Sequence, residues 1–176
     1  MANVIPMSGS GSRFSDAGYI LPKPLISVSG QPMILAVIDS MPKADKWIFV
    51  LREEHIQKYG VDKLIKSRLP GAIIVPDPNP HGQATSCMLG LPHLDPEEDI
   101  FIAACDNSFL YDYQKFLELA KQPDVNSVMW TFTKDELLTE KPTAWGWATL
   151  EDDNFTIKDM SVKVPVSANP FNDHAI

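Results

Sequence analysis

The stretch from Val4 to Leu25, VIPMSGSGSRFSDAGYILPKPL, constrains this chain more than any other. It opens on an apolar run, Val4, Ile5 and Met7, that predicts the first strand of a buried sheet. The loop SGSGSR follows. Gly9 and Gly11 permit backbone angles that other residues resist. With Ser8 and Ser10 they let main-chain N–H groups point into one concavity, which suits a chain of phosphates. Arg13 closes the loop with a planar, always-charged fork that matches phosphate oxygens. Farther on, Lys23 stands between Pro22 and Pro24, which stiffen the backbone around a single cation. A Gly/Ser turn, an arginine and a clamped lysine together predict a site for a triphosphate. Neither common phosphate fingerprint accounts for it. No Lys-Ser or Lys-Thr closes the loop as in GxxxxGK[ST], and Phe14 stands where GxGxxG needs its third glycine.

The rest of the chain alternates. Lys46–Leu51, Gly71–Val75, Asp99–Ala104 and Ser127–Thr133 read as further strands. Met33–Met41, Ile56–Ser67, Gln83–Leu91 and Tyr113–Lys121 read as helices between them. Trp145–Leu150 and Phe155–Met160 form a strand pair around the turn Glu151-Asp152-Asp153-Asn154. This order predicts a Rossmann-like α/β fold, a mostly parallel sheet flanked by helices, as one domain over residues 1–176. The loops after the first, third and fourth strands then share the carboxyl edge of the sheet, where such folds bind ligands. Those loops are SGSGSR, the proline-rich PDPNPHG of residues 76–82, and Cys105-Asp106-Asn107.

Composition narrows the class. A net charge of −8 argues against a broad nucleic-acid surface. It also means that an anionic ligand needs local cations, which raises the interest of Arg13 and Lys23. Cys87 and Cys105 lack metal-ligand spacing and read as buried free thiols of a reducing compartment. Asn3 and Pro6 break the first apolar run, so no signal peptide is expected. No apolar run is long enough to span a bilayer. A soluble cytoplasmic enzyme is the expectation.

The pattern GxGxRF…G…PKPL…V.G.PM resembles the N-terminal signature of the sugar-phosphate nucleotidyltransferases, the nucleoside-diphosphate-sugar pyrophosphorylase-like family. The resemblance covers essentially the whole chain and implies the nucleotide-diphospho-sugar transferase type of α/β fold. The family normally continues with another strand, a further acidic residue and a closing helix, so the domain is expected to be incomplete at its C-terminus. Arg13 and Lys23 then take the catalytic stations, and Ser8, Gly9, Ser10, Gly11 and Ser12 the triphosphate. Pro80 and Gly82 resemble the base-reading segment, with Gln83 and Asp77 as added contacts. Asp106-Asn107 resembles the family's Asp-Asn pair, in which the acid holds Mg2+ and the amide lies near the sugar. By itself, a carboxylate ending a buried strand caps a loop or binds a metal. The family's second metal carboxylate has no counterpart before Ile176. Trp145-Gly146-Trp147 and Lys163 resemble the stations for sugar and phosphate, with Gly146 and Lys163 as the carried residues. Val162 stands in place of the sugar-binding glutamate, and Val164 separates Lys163 from Pro165.

The expected activity is transfer of a nucleoside monophosphate from UTP, dTTP or CTP to a sugar 1-phosphate, with release of pyrophosphate. Val162 keeps a cytidylyltransferase acting on a non-sugar alcohol phosphate beside it. A nucleotide-binding module without turnover is the non-enzyme alternative. A metal-dependent glycosyltransferase fits less well, because a nucleotide-sugar donor carries only a diphosphate for Arg13 and Lys23 to neutralise. The expected partners are a nucleoside triphosphate and a phosphorylated small-molecule acceptor, without nucleic acid or membrane. A homo-oligomer is left open.

Overall fold

The computed structural model describes residues 1–176. Its chain divides into two units, Met1–Tyr113 and Gln114–Ile176. The first unit begins with β1 (Ala2–Met7), α1 (Ser12–Asp16), the short strands β2 (Ser27–Val28) and β3 (Gln31–Pro32), α2 (Met33–Ser40) and β4 (Lys46–Arg52). It continues with α3 (Glu53–Tyr59), α4 (Val61–Arg68), β5 (Ile73–Asp77), α5 (Gln83–Gly90) and β6 (Ile100–Ile102). A helix, α6 (Tyr113–Ala120), begins at the last residue of this unit. The second unit holds α7 (Glu136–Glu140), β7 (Gly146–Leu150), β8 (Ile157–Val162) and β9 (His174–Ala175).

In the first unit four strands lie in the order β5-β4-β1-β6, and every pairing is parallel. All six residues of β1 are buried, as expected of a strand paired at both edges and covered on both faces. β4 runs beside it from Ala2↔Lys46 to Met7↔Leu51, and its Ile48, Phe49, Val50 and Leu51 are fully buried. Ile34 and Val37 of α2 and Val61 and Ile65 of α4 add to the core. Asn3, within β1, is also fully buried. Its side chain donates to the Pro42 carbonyl at 2.8 Å and so ties the segment between α2 and β4 to the central strand.

This strand order sets the site. After β1 the chain moves outward through β4 to β5, then returns to lay β6 on the other side of β1. The crevice between β1 and β6 is therefore a topological switch point, where open α/β sheets bind ligands at the carboxyl ends of their strands.

Several boundaries differ from the sequence reading, each for a local reason. The helix expected over Ile56–Ser67 starts at Glu53 and is two helices. Gly60, at φ 63°, ends α3 and begins α4, a left-handed conformation that glycine adopts without strain. β5 extends past Val75 through Pro76 and Asp77. As an edge strand it tolerates a proline that donates no ladder bond. Cys87 and Cys105 are free and half-buried rather than fully buried.

The second unit has an antiparallel sheet in the order β8-β7-β9. Leu138, Trp147 and Ala175 form its fully buried core, with Trp145 packed against it. The strand expected at Ser127–Thr133 is reduced to one antiparallel bridge, Phe132↔Ala175. An apolar alternating run becomes a strand only where a partner edge meets it, and here the partner is the two-residue β9. The strand pair after Trp145 forms as expected. Its turn is held by Asp153, whose carboxylate accepts from the amides of Phe155 and Thr156 at 2.8 Å each.

Candidate active site

The loop leaving β1 turns at once. Ser8 is buried, and its hydroxyl donates to the Val50 carbonyl at 3.1 Å. Its side chain thus anchors the loop to β4, and only its main chain is available to a ligand. Gly9 and Ser10 are exposed. Gly11 adopts φ 66°, and a Cβ placed there would sit 3.4 Å from the Lys23 Cβ. A side chain at this position would be strained by its φ and would crowd the lysine. From Gly11 the chain enters α1, with Ser12 and Arg13 in its first turn and Arg13 exposed.

Lys23 opens a one-turn helix, Lys23–Leu25, after Pro22 at φ −63°, with Pro24 buried behind it. Its Nζ donates to the Asp106 carboxylate. The same ammonium lies 5.5 Å from the centroid of the Phe14 ring, a favourable cation–π placement. Phe14, the residue that breaks the dinucleotide fingerprint, thus helps to aim the lysine. Asp106 follows β6 across the switch point. The residues read as loop, cation and acid meet here.

A cleft of about 630 Å³ runs over this edge, within the usual range for a ligand of nucleotide size. Ser8, Gly9, Ser10, Gly11, Ser12, Arg13, Lys23, Pro80, Gly82, Gln83 and Asp106 all line it. Gly82, at φ 118°, leads into α5 in a backbone region nearly closed to other residues. Asp77, expected as a ligand contact, is instead buried. Its carboxylate accepts from the Ser86 hydroxyl at 2.8 Å and the Asn79 amide at 3.2 Å. It holds the proline-rich loop in place while Ser86 lines the cleft.

Asn107 follows Asp106 and is exposed. Gly146 and Lys163 belong to the second unit and are neighbours there, because the Lys163 amide donates to the Trp145 carbonyl at 2.9 Å. Lys163 is exposed and adopts φ 61°. Trp147 is fully buried, and its Nε1 donates to the Pro142 carbonyl at 3.0 Å. It serves the core and presents no ring face to a sugar.

One contributor was missed in the sequence. Arg52 ends β4, lines the cleft, and donates from Nε to the Ser8 carbonyl at 3.1 Å. A charged residue closing a buried apolar run was the available signal. Cys105, beside Asp106, also lines the cleft. Burial foremost, then the Asp106 charge, pushes its thiol up to about 11, against the pull of Lys23. It is a protonated wall residue at neutral pH.

The acidic side chains here do not form a protein-only metal cage, and no cluster of three or more His, Cys, Asp or Glu side chains capable of holding a metal occurs. One exposed carboxylate beside a phosphate loop does fit Mg2+, which takes one or two carboxylates and completes its shell with phosphate and water. No helix is long and apolar enough to cross a membrane.

A family model described as a MobA-like NTP transferase domain matches residues 4–152. No curated protein sequence matches the chain significantly. Among solved structures, the nucleoside-diphosphate-sugar pyrophosphorylase of Vibrio cholerae RC9 is similar at TM-score 0.70 and 20% identity, over 97% of this chain and 73% of that one. The inositol-1-phosphate CTP transferase of T. maritima is similar at TM-score 0.70 and 16% identity, over 99% and 67% of the two chains. A Bacillus anthracis protein provisionally assigned as a glucose-1-phosphate thymidylyltransferase gives TM-score 0.75 and 18% identity, over 100% and 69%. At these identities the likeness is one of fold, that of the nucleotide-diphospho-sugar transferases.

Proposed function

Because the chain belongs to the MobA-like NTP transferase domain family, a family of nucleotidyltransferases, we propose that it transfers a nucleoside monophosphate from a pyrimidine triphosphate, UTP, dTTP or CTP, to a sugar 1-phosphate, releasing pyrophosphate. The observation that carries this reading is the pairing of Lys23 with Asp106 across the switch point, beside the glycine loop. An oxygen of the acceptor phosphate attacks the α-phosphorus, and the bond to the departing pyrophosphate breaks. The acceptor is already ionised at neutral pH, so the site needs no general base. Its work is positioning and charge stabilisation. The loop amides of Gly9 to Ser12 and the Arg13 fork hold the triphosphate tail. Lys23 leaves Asp106 for the α-phosphate as charge gathers on its oxygens. Pro80, Gly82 and Gln83 face the base, and small residues there let main-chain groups reach its edge. Asp106 would hold Mg2+, which supplies positive charge to the triphosphate when bound. Asn107 is the proposed acceptor contact beside Asp106.

A second reading has a specific basis. Val162, where the resembling family carries its sugar-binding glutamate, is 79% exposed and offers no acceptor for a sugar hydroxyl. The T. maritima neighbour is named as an inositol-1-phosphate CTP transferase. CTP with a non-sugar alcohol phosphate is therefore the alternative pair. Pyrophosphate release with Mg2+, assayed over a panel of triphosphates and both acceptor classes, separates the two. Lys23→Ala is expected to lower turnover by on the order of 10²- to 10³-fold with a milder loss of nucleotide binding. Binding without turnover in the unaltered chain would reduce it to a nucleotide-binding module.

A further inference from the structure

The second unit leaves one strand edge open. β8 is an outer strand of its sheet and pairs with β7 alone. The neighbouring bonds decide which of its main-chain groups face outward. The Lys163 amide donates to the Trp145 carbonyl at 2.9 Å. The Gly146 carbonyl is turned the other way and accepts from the Ile176 amide at 2.9 Å. Gly146 stands opposite Val162, and Ala148 opposite Met160. In an antiparallel ladder, residues that exchange bonds with a given neighbour alternate with residues that do not. Asp159, Ser161 and Lys163 therefore bond toward β7, and the N–H and C=O groups of Met160 and Val162 point to the open edge. The Met160 amide, with no strand beside it, donates instead to the carboxylate of its own neighbour Asp159 at 2.8 Å.

The edge is also apolar. Met160 is 53% exposed and Val162 79%. Two residues apart, they share one face of the strand. An open edge with exposed apolar side chains invites another strand, and proteins commonly blunt it with a proline, a bulge or a charge. Here the bulge comes earlier. The register passes from Thr149↔Asp159 to Leu150↔Ile157 and skips Lys158. From Asp159 to Val162 the edge is regular and holds no proline. Charges stand at its two limits, Asp159 and Lys163, both exposed. Four residues span about 13 Å of extended strand, so one chain does not bring these two charges together.

We propose that β8 pairs with the β8 of a second copy of this chain, antiparallel, about a two-fold axis at Ser161. Met160 then lies opposite Val162 of the second copy, and the two exchange their outward main-chain bonds. The axis repeats the exchange and joins the sheets of two chains into one. In the same register Asp159 falls opposite Lys163 of the second copy, again twice. An axis moved to Met160 or Val162 keeps the bonding pattern but sets Asp159 or Lys163 opposite Ser161. Unlike charges in a cross-strand pair attract and like charges repel, so charge selects both this occupant and this register. Pairing frees the Asp159 carboxylate from the Met160 amide and gives it a cation. Each copy offers the same edge, so the assembly closes at two. The pairing does not depend on the nucleotidyl-transfer reading.

The test is analytical ultracentrifugation of the full chain at rising concentration, repeated on Asp159→Lys, Lys163→Asp and the two combined. So short a contact makes a weak, transient dimer, and the average mass should climb from one chain toward two. Each single reversal sets like charges opposite each other at both places and should weaken association about tenfold or more. The combined variant restores unlike pairs and should regain the unaltered affinity. Should a single reversal fail to fold, Val162→Lys, which puts a charge on the paired apolar face, must show the same loss. A chain that stays monomeric at every concentration overturns the pairing. So does a dimer that the single reversals leave unchanged, or one that they weaken and the combined variant does not restore.

Discussion

Gly11 and Gly9 look alike in the sequence and differ in the fold. Gly11 has a positive φ and lies against Lys23, whereas Gly9 has neither a positive φ nor any atom within 4 Å of an added Cβ. Gly11→Ala should cost about 1–2 kcal/mol of stability from the left-handed backbone and also displace the lysine. Gly9→Ala should change stability by no more than about 0.5 kcal/mol. Denaturant melts of the two variants check this, and equal losses would remove the packing role given to Gly11. His55 makes a pH-dependent contribution. Its folded value lies below the ordinary 6.5, so below that pH the unfolded chain binds a proton that the folded chain resists. Its contribution is complete above 6.5 and is lost as pH falls. The melting midpoint of His55→Gln should therefore fall less steeply than that of the unaltered chain between neutral pH and about pH 5; parallel curves would contradict a neutral buried imidazole. Cys105 carries the opposite sign. Its thiol is raised to about 11, so alkylation followed by peptide mapping should stay slow up to about pH 9 and accelerate only above it.

Among the elements, β4 joins core to cleft, giving the core its Phe49 and the cleft its Arg52. Phe49 is fully buried and stacked on Trp47 at 6.1 Å. Phe49→Ala should cost about 3–5 kcal/mol, measured as a lower denaturant midpoint, and a loss under about 1 kcal/mol would mean the strand is not the core element described. β4 was legible in the sequence because burial writes itself as an unbroken apolar run, Trp47 to Leu51, whereas β1, whose run Asn3 and Pro6 interrupt, begins two residues before the Val4 read as its start. The second unit was less legible for the converse reason. Val128, Met129, Trp130 and Phe132 have strand-like side chains, but pairing depends on a distant edge, and only Phe132 finds one. Gly60 shows a third case, in which one residue in a left-handed conformation divides what periodicity reads as a single helix.

Across the molecule, 23 acidic residues oppose 15 basic ones, so an anionic ligand meets attraction only where cations are gathered. Lys23 and Arg13 were legible as such cations because glycines and prolines beside a charge leave a local mark. Arg52 was not, since its importance comes from a neighbouring strand that ends at the same level. Nor was the burial of Asp77, whose partner Ser86 lies on the following helix. The loop proposed to read the base gives the last prediction. Gly82 and Gln83 line the cleft, and the proposed function has them meet the edge of a pyrimidine. A ligand bound only by the folded state stabilises it by about 2.7 kcal/mol at a hundred times its dissociation constant. In a chain of this length that is a rise of roughly 5–10 °C in melting midpoint. With Mg2+, CTP, UTP or dTTP should produce such a rise, while ATP and GTP at the same concentration should produce much less. A larger shift with a purine triphosphate would remove the pyrimidine assignment while leaving the phosphate site intact. No shift with any triphosphate would remove the phosphate site itself.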